Sequence, residues 1–257
     1  MTLRLIDSHC HLDFDVFDAD RNLLLQRAAA EGVADIIVPG VTAERWAALL
    51  ELCRSDRGLY PALGLHPCFL DQHNIKDLTR LERLLEREAV VAVGEIGLDL
   101  FIPGADLKHQ LEYLLPQLAL ARQFNLPVLL HVRKAHDQML QQLRRCLLPR
   151  GGIVHAFSGS LQQAEQYLQL GFRLGIGGTI TYPRANRLRT LVQQLPLESF
   201  VLETDAPDMP LQGFQGQRNL PERVRRVAET MAELRGCSLE QIAAQTTQTS
   251  ESLLALA

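Results

Sequence analysis

The chain has 257 residues, 47% of them apolar and 22% charged, and a formal net charge of −4. This composition describes a globular protein with a sizeable core, and the charge excludes a duplex coat that works through a uniformly basic surface. No apolar run approaches the roughly 20 residues that cross a bilayer. The N-terminal stretch lacks the basic, apolar, small-residue order of a signal peptide. Five cysteines with no CxxC pair argue against a disulfide framework or a zinc ribbon. A cytoplasmic protein with reduced thiols and no membrane attachment is therefore expected.

Short apolar runs bounded by Gly, Pro or Asp recur along the chain and predict strands near 3–9, 34–39, 59–65, 90–96, 126–132, 152–157, 172–178 and 200–204. Between them lie stretches with apolar residues every three or four positions, such as "LTRLERLLERE", "QLEYLLPQLALARQF" and "AHDQMLQQLRRCLL", which predict amphipathic helices. Pro116 in the second marks a kink or a first turn. The tail after 238 reads as one or two further helices on the outside. Eight strand–helix units without a linker predict a single α/β domain over 1–257, a (β/α)8 barrel. An open doubly wound sheet is the alternative.

The polar residues that interrupt these apolar strands fall at their C-terminal ends. His9 and His11 end the first, one residue apart, so that alternation puts both on one face and Cys10 on the other. His66 ends the third strand, Glu95 the fourth and His131 the fifth. His155 falls late in the sixth, and Glu203 and Asp205 end the eighth. In a barrel these ends converge on the face where active sites form. Buried imidazoles and carboxylates carry a desolvation cost that metal binding offsets. His9, His11 and Asp205 can hold one divalent ion and His131 with His155 a second, with Glu95 bridging both. This mixed nitrogen and oxygen set suits zinc, manganese or iron(II), and with fewer histidines would suit magnesium. Two ions about 3.5–4 Å apart with a hydroxide between them are a recurrent hydrolytic arrangement. His66 is expected to contact substrate or a ligand, and Glu203 to orient one. His73, His109 and His136 read as solvated. Cys68 is expected to pack near the pocket mouth.

These residues, in this order, resemble the TatD-type deoxyribonucleases, metal-dependent hydrolases of the amidohydrolase-like barrels. The resemblance rests on "DSHCHLDF", "GLHP", "GEIGLD", "LPVLLHVRKA", "HAFSGS", "GIGGTITYPRA" and "ETDAPDMP". Within the family, "GGTITYPRA" and "ETDAPDMPLQGFQGQRN" are most similar to the YjjV-like subgroup. The resemblance implies hydrolysis of nucleic acid, with 3′–5′ exonuclease action on single strands in some members. It also implies the ligand set already derived, with Asp205 a ligand of the first ion near the nucleophile, a position from which it is expected to accept the water's proton. Departures are Thr249 and Leu254, where many relatives carry Asn and an aromatic, and Ala206, often Ser. The fourth strand offers Glu95 as the bridge rather than the carboxylated Lys of several amidohydrolases.

Seven aromatics fall in loops that follow strands: Phe14, Phe17, Phe69, Phe101, Phe157, Tyr182 and Phe214. Arg133, Lys134, Arg184 and Arg218 lie in the same loops. As a set they suit stacking of bases and pairing with phosphates, so Arg133 and Tyr182 join His66 as substrate-binding candidates. The same metal pair would also hydrolyse a small amide or ester, or an aminoacyl ester on tRNA. A closed pocket would favour the small substrates and an open groove the strand. A purely structural metal site would be closed and cysteine-rich, unlike this one. With no strand edge to pair, a monomer is expected.

Overall fold

A computed structural model describes residues 3–256. Eight parallel strands alternate with helices: β1 (Leu5–Asp7), α1 (Arg21–Ala30), β2 (Val33–Pro39), α2 (Trp46–Ser55), β3 (Leu59–Leu63), α3 (Lys76–Leu85), β4 (Ala92–Asp99) and α4 (Leu107–Gln123). The second half continues with β5 (Val128–Arg133), α5 (His136–Cys146), β6 (Gly152–Val154), α6 (Leu161–Gln169), β7 (Phe172–Ile176), α7 (Asn186–Gln194) and β8 (Phe200–Leu202). Two further helices, α8 (Val224–Arg235) and α9 (Leu239–Leu254), complete the chain. Strand neighbours follow sequence order throughout, the topology of a (β/α)8 barrel. All eight predicted strands form, and the tail after 238 is one helix.

The seam between β8 and β1 is closed by backbone bonds beyond the two strands. Ser8 N–H donates to Leu202 O at 2.9 Å, Asp205 N–H to His9 O at 2.8 Å and His11 N–H to Ala206 O at 2.8 Å. The barrel interior holds Ile6, Ile37, Ala62, Ala92, Leu129, Ile153 and Val201, and Leu254 at the end of α9 packs into the same cluster. Ser160 and Ser238 each form a capping box, with Gln163 and Gln241 respectively, which stops α6 and α9 from fraying at their starts. Asp106 caps α4, which runs unbroken through Pro116. Among the described residues no helix is long and apolar enough to cross a membrane, and all five cysteines are free thiols.

His136 departs from its expected solvated position. It starts α5 and is buried against Phe157 and Tyr167, with Nδ1 3.3 Å from the Tyr167 hydroxyl. The reason is the α5–α6 packing, which the local sequence does not reveal. Burial pushes its pKa down from 6.5 to about 4. The unfolded chain therefore takes up this proton first, and the stability present above pH 6.5 is lost as pH falls toward 4. His136→Gln should flatten the pH dependence of urea-unfolding stability across that window. The expected difference from the parent at pH 4 is on the order of 2–3 kcal/mol.

Candidate metal centre

The polar strand-end residues meet at the C-terminal mouth of the barrel. Glu95, in β4, is 1% exposed and is the centre of the cluster. Its two carboxylate oxygens face different partners. Oε2 lies 3.1 Å from His9 Nε2 and 3.4 Å from His11 Nε2. Oε1 lies 3.0 Å from His155 Nε2, 3.2 Å from His131 Nδ1 and 3.1 Å from His66 Nε2. Asp205 Oδ1 approaches the first pair, at 3.8 Å from His9 Nε2 and 3.6 Å from His11 Nε2. Residues nearly two hundred positions apart thus share one site.

Local structure explains how they get there. His9 and His11 lie beyond the end of β1, so strand alternation as first argued does not place them. The seam bonds do: they hold the chain extended past Asp7, and the two rings stand 5.0 Å apart at 82°. Cys10 between them is buried, as expected, and bridges to Ala206. Asp205 itself has φ of 56°, as do Lys134 beyond β5 and, at 44°, Ala156 beyond β6. Left-handed backbone costs about 1 kcal/mol for a residue with a Cβ, and such strain gathers where a site over-determines the chain. Close backbone approach is also needed. A Cβ on Gly97 would sit 1.9 Å from the His131 carbonyl oxygen, and one on Gly175 would sit 2.1 Å from Glu203 Oε2.

The outward nitrogens of the rings are held as well. His11 Nδ1 lies 3.2 Å from the Pro39 carbonyl oxygen, which only accepts, so Nδ1 carries the hydrogen and Nε2 is free for the site. His131 Nε2 lies 2.9 Å from Asp99 Oδ2, leaving Nδ1 for the site. His155 Nδ1 faces Glu203 Oε1 at 3.7 Å, and the same oxygen accepts from Ala156 N–H at 2.5 Å. His66 is set the other way. Its Nδ1 accepts from Cys68 N–H at 3.1 Å, so its Nε2 bears the hydrogen and is a donor toward the site.

Two acids escaped the sequence reading. Asp99 ends β4 in the quoted "GEIGLD" and holds His131, with Cys68 Sγ also 3.5 Å from its Oδ2. The signal that found the others, a polar residue closing an apolar strand, was present there too. Asp7 is fully buried and accepts from Thr204 N–H at 2.9 Å and Thr204 Oγ1–H at 2.6 Å, tying the end of β1 to the segment carrying Asp205. Burial pushes its pKa up to about 8.

Among the candidates for substrate contact, His66 and Arg133 line the central cavity, of about 540 Å³. Tyr182 does not line it. Its hydroxyl donates to Pro210 O at 2.7 Å, and its ring faces a neighbouring groove with Arg184 and Gln212. Phe17 is buried in the core, whereas Phe157, although buried against His136 and Tyr167, contributes to the cavity wall. Phe14 and Phe69 line the cavity, while Phe101 and Phe214 are exposed beneath Arg133 and Arg223. Arg218 pairs with Asp20. Of the remaining histidines, His109 is exposed, and His73 is half-buried and donates from Nε2 to His66 O at 2.9 Å.

The electrostatics call for positive charge. Burial raises the Asp205 pKa to about 6 despite His155 and His11, which lower it. Burial opposes the charge on Glu95 as well, yet the surrounding histidines hold it well below the usual carboxylate range. Burial also works against protonated His11 and His131, but the carboxylates win and raise them to about 9 and 10. His9, with less compensation, is pushed down by burial to about 3. Without a cation, protons on imidazoles thus balance the buried carboxylates. Four overlapping groups have donor atoms within 4.8 Å of one another: His9–His11–Glu95, His9–His155–Asp205, Glu95–His131–His155 and His66–Cys68–His131. The donor set fits divalent ions.

The TatD related DNase family profile matches residues 6–255. The chain belongs to this family. It is 52% identical over 245 residues to an Escherichia coli (strain K12) protein named as the uncharacterized metal-dependent hydrolase YjjV, covering 95% of each chain. The crystal structure of the E. coli K12 YjjV, a TatD homolog, matches with a TM-score of 0.97 at 50% identity over 100% of both chains. An Erwinia amylovora protein named 3′-5′ ssDNA/RNA exonuclease TatD is 30% identical over 259 residues, covering 98% of this chain and 100% of its own. As a TatD-family member the chain is a metal-dependent hydrolase built on a (β/α)8 barrel.

A ligand present at a hundred times its Kd stabilises a fold by about 2.7 kcal/mol, or about 5–10 °C in melting temperature for a chain of this size. Adding Mn²⁺ or Zn²⁺ to chelator-treated protein should produce a rise of that order in a thermal melt. Glu95→Gln, which weakens both halves of the cluster, should lose most of the rise.

Proposed function

We propose that the protein is a phosphodiesterase acting on single-stranded nucleic acid from one end, with two divalent ions at the barrel mouth. The observation that carries this reading is the division of the Glu95 carboxylate, with one oxygen facing His9 and His11 and the other facing His131 and His155. His9, His11, Glu95 and Asp205 would hold one ion, and Glu95, His131 and His155 the second. Bound there, such a pair supplies a water of lowered pKa and positive charge against the phosphoryl oxygens.

The chain's own groups do the rest. Asp205 accepts the water's proton as the oxygen adds to phosphorus, and returns it to the leaving oxygen as the P–O bond breaks. His66, whose Nε2–H faces Glu95 Oε1 at 3.1 Å, is a donor that a phosphoryl oxygen beside Glu95 would share. Arg133, stacked 4.0 Å over the Phe101 ring, offers charge and a stacking face where the cavity opens. The cavity continues sideways into a groove, as a strand requires and a small closed substrate does not. The Erwinia relative's name points to the same substrate class. Five free thiols suit a reducing cytoplasm, and the closed barrel suits a monomer acting as one domain.

The test uses purified protein loaded separately with Mn²⁺, Mg²⁺ or Zn²⁺ and a labelled single-stranded oligonucleotide. Metal-dependent shortening is expected, abolished by chelator and reduced at least a hundredfold in Asp205→Asn and Glu95→Gln, on the scale of lost acid–base or charge stabilisation. Because Asp205 acts ionised and a neighbouring cation favours ionisation, kcat/KM should fall with acidification at or below about pH 6. An intact oligonucleotide under every metal would transfer the assignment to carbonyl substrates such as aminoacyl esters.

A further inference from the structure

Beside the central cavity lies a groove of about 440 Å³ that shares Phe14, Val41, Phe69 and Asp208 with it. Its floor is apolar and partly aromatic. Phe14 stacks on His11 at 4.7 Å between centroids, Phe69 packs edge-on to His66 at 5.5 Å, and Val16 is half exposed. Whatever occupies the groove is therefore in continuous contact with residues touching the metal cluster.

Its rim has the opposite chemistry from the far side of the cavity. Arg45, the cation of this groove, is fully engaged: Nε donates to Asp13 Oδ2 at 3.2 Å and NH2 to Asp15 Oδ1 at 2.8 Å. Asp15 remains 82% exposed at the lip despite that bond. Asp208, where the groove meets the cavity, makes no ion pair among the described residues. Across the cavity, Arg133 ends β5, Lys134 follows it and Arg184 lies beyond β7, all exposed. A polyanion is attracted over the β5–β7 side and repelled over the β1–β3 side. The groove can accept an uncharged flat group and disfavours a phosphate lying between Asp15 and Asp208.

We propose that this groove receives the terminal nucleoside of the substrate, and that Asp15 and Asp208 exclude strands whose digested end carries a phosphate. This rests on the phosphodiesterase reading above and specifies it. The scissile phosphate sits at the cluster, one nucleoside lies in the groove, and the polymer runs away over the basic side. A further nucleotide in the groove direction would bring its phosphate against the two carboxylates. End-on digestion then follows from charge placement, without a lid.

The experiment takes three single-stranded oligonucleotides of one sequence with an internal label: both ends hydroxyl, a 5′-phosphate only, and a 3′-phosphate only. The Mn²⁺-loaded full chain digests each, and the ladder identifies the digested end. A phosphate on that end should slow release of the first nucleotide at least about tenfold, and a phosphate on the other end should leave the rate unchanged. In the Asp15→Asn/Asp208→Asn double variant the penalty should shrink to less than about threefold. Asp208→Asn alone, which gives up no ion pair, should shrink it partly, and serves where the double variant does not fold. Equal rates on all three strands, a penalty unchanged by the variants, or first cuts in the interior would overturn the proposal while leaving the phosphodiesterase reading intact. No cleavage of any strand would remove both.

Discussion

A single carboxylate with almost no solvent contact organises the upper face of this barrel. Glu95 is buried among four imidazoles whose nitrogens lie 3.0–3.2 Å from one or other of its oxygens, with a fifth at 3.4 Å. An isolated ionised carboxylate in such a place would be strongly unfavourable. The histidines make it tolerable, and the strands that carry them are held in register by what surrounds it. Gly97 has no side chain because the β5 backbone must come close enough for His131 to reach. Gly175 has none because the Glu203 carboxylate occupies that space behind His155.

The closure of the barrel and the assembly of the site are the same event. The strands β1 and β8 are each three residues long, and their mutual ladder is carried by the residues just beyond them. The backbone bond from Asp205 to His9 joins two candidate ligands directly. Asp7 reinforces that joint from below through Thr204, as a buried acid whose pKa burial raises to about 8. The cluster is therefore rigid where it must hold charge, and the left-handed conformations at Lys134, Ala156 and Asp205 are the local cost.

Much of this was legible in the residues. Strands read from apolar runs appear within a few positions, because a buried parallel strand needs such a run and Gly, Pro or Asp ends it. The polar residues at the strand ends converge because the fold collects all C-terminal ends on one face. Properties set by non-local packing were not legible. His136 looks like any polar residue opening a helix, and its burial depends on Tyr167, thirty-one positions on. Phe17 looks like a rim aromatic and belongs to the core, with Arg218 packed over its ring from more than two hundred positions away. Tyr182 follows the right strand, but its hydroxyl is drawn to Pro210 and its ring turns from the cavity. The extended course of His9 and His11 was inferred from strand alternation, whereas the β8 seam supplies it.

Which nitrogen of each ring faces inward separates roles that residue type alone leaves equal. His11 and His131 each have an outer nitrogen next to an oxygen that can only accept, so the hydrogen is kept outside and a lone pair is directed into the site. His66 accepts a backbone N–H on its outer side, which forces the hydrogen inward. Five histidines close on one carboxylate, yet only some present a lone pair there, and His66 presents a proton. The lone pairs suit a cation, and the N–H suits an acceptor oxygen. His66 packs against Phe69, which lines both the cavity and the acidic-rimmed groove beside it, so the one imidazole that turns a hydrogen inward is also the one adjoining that groove.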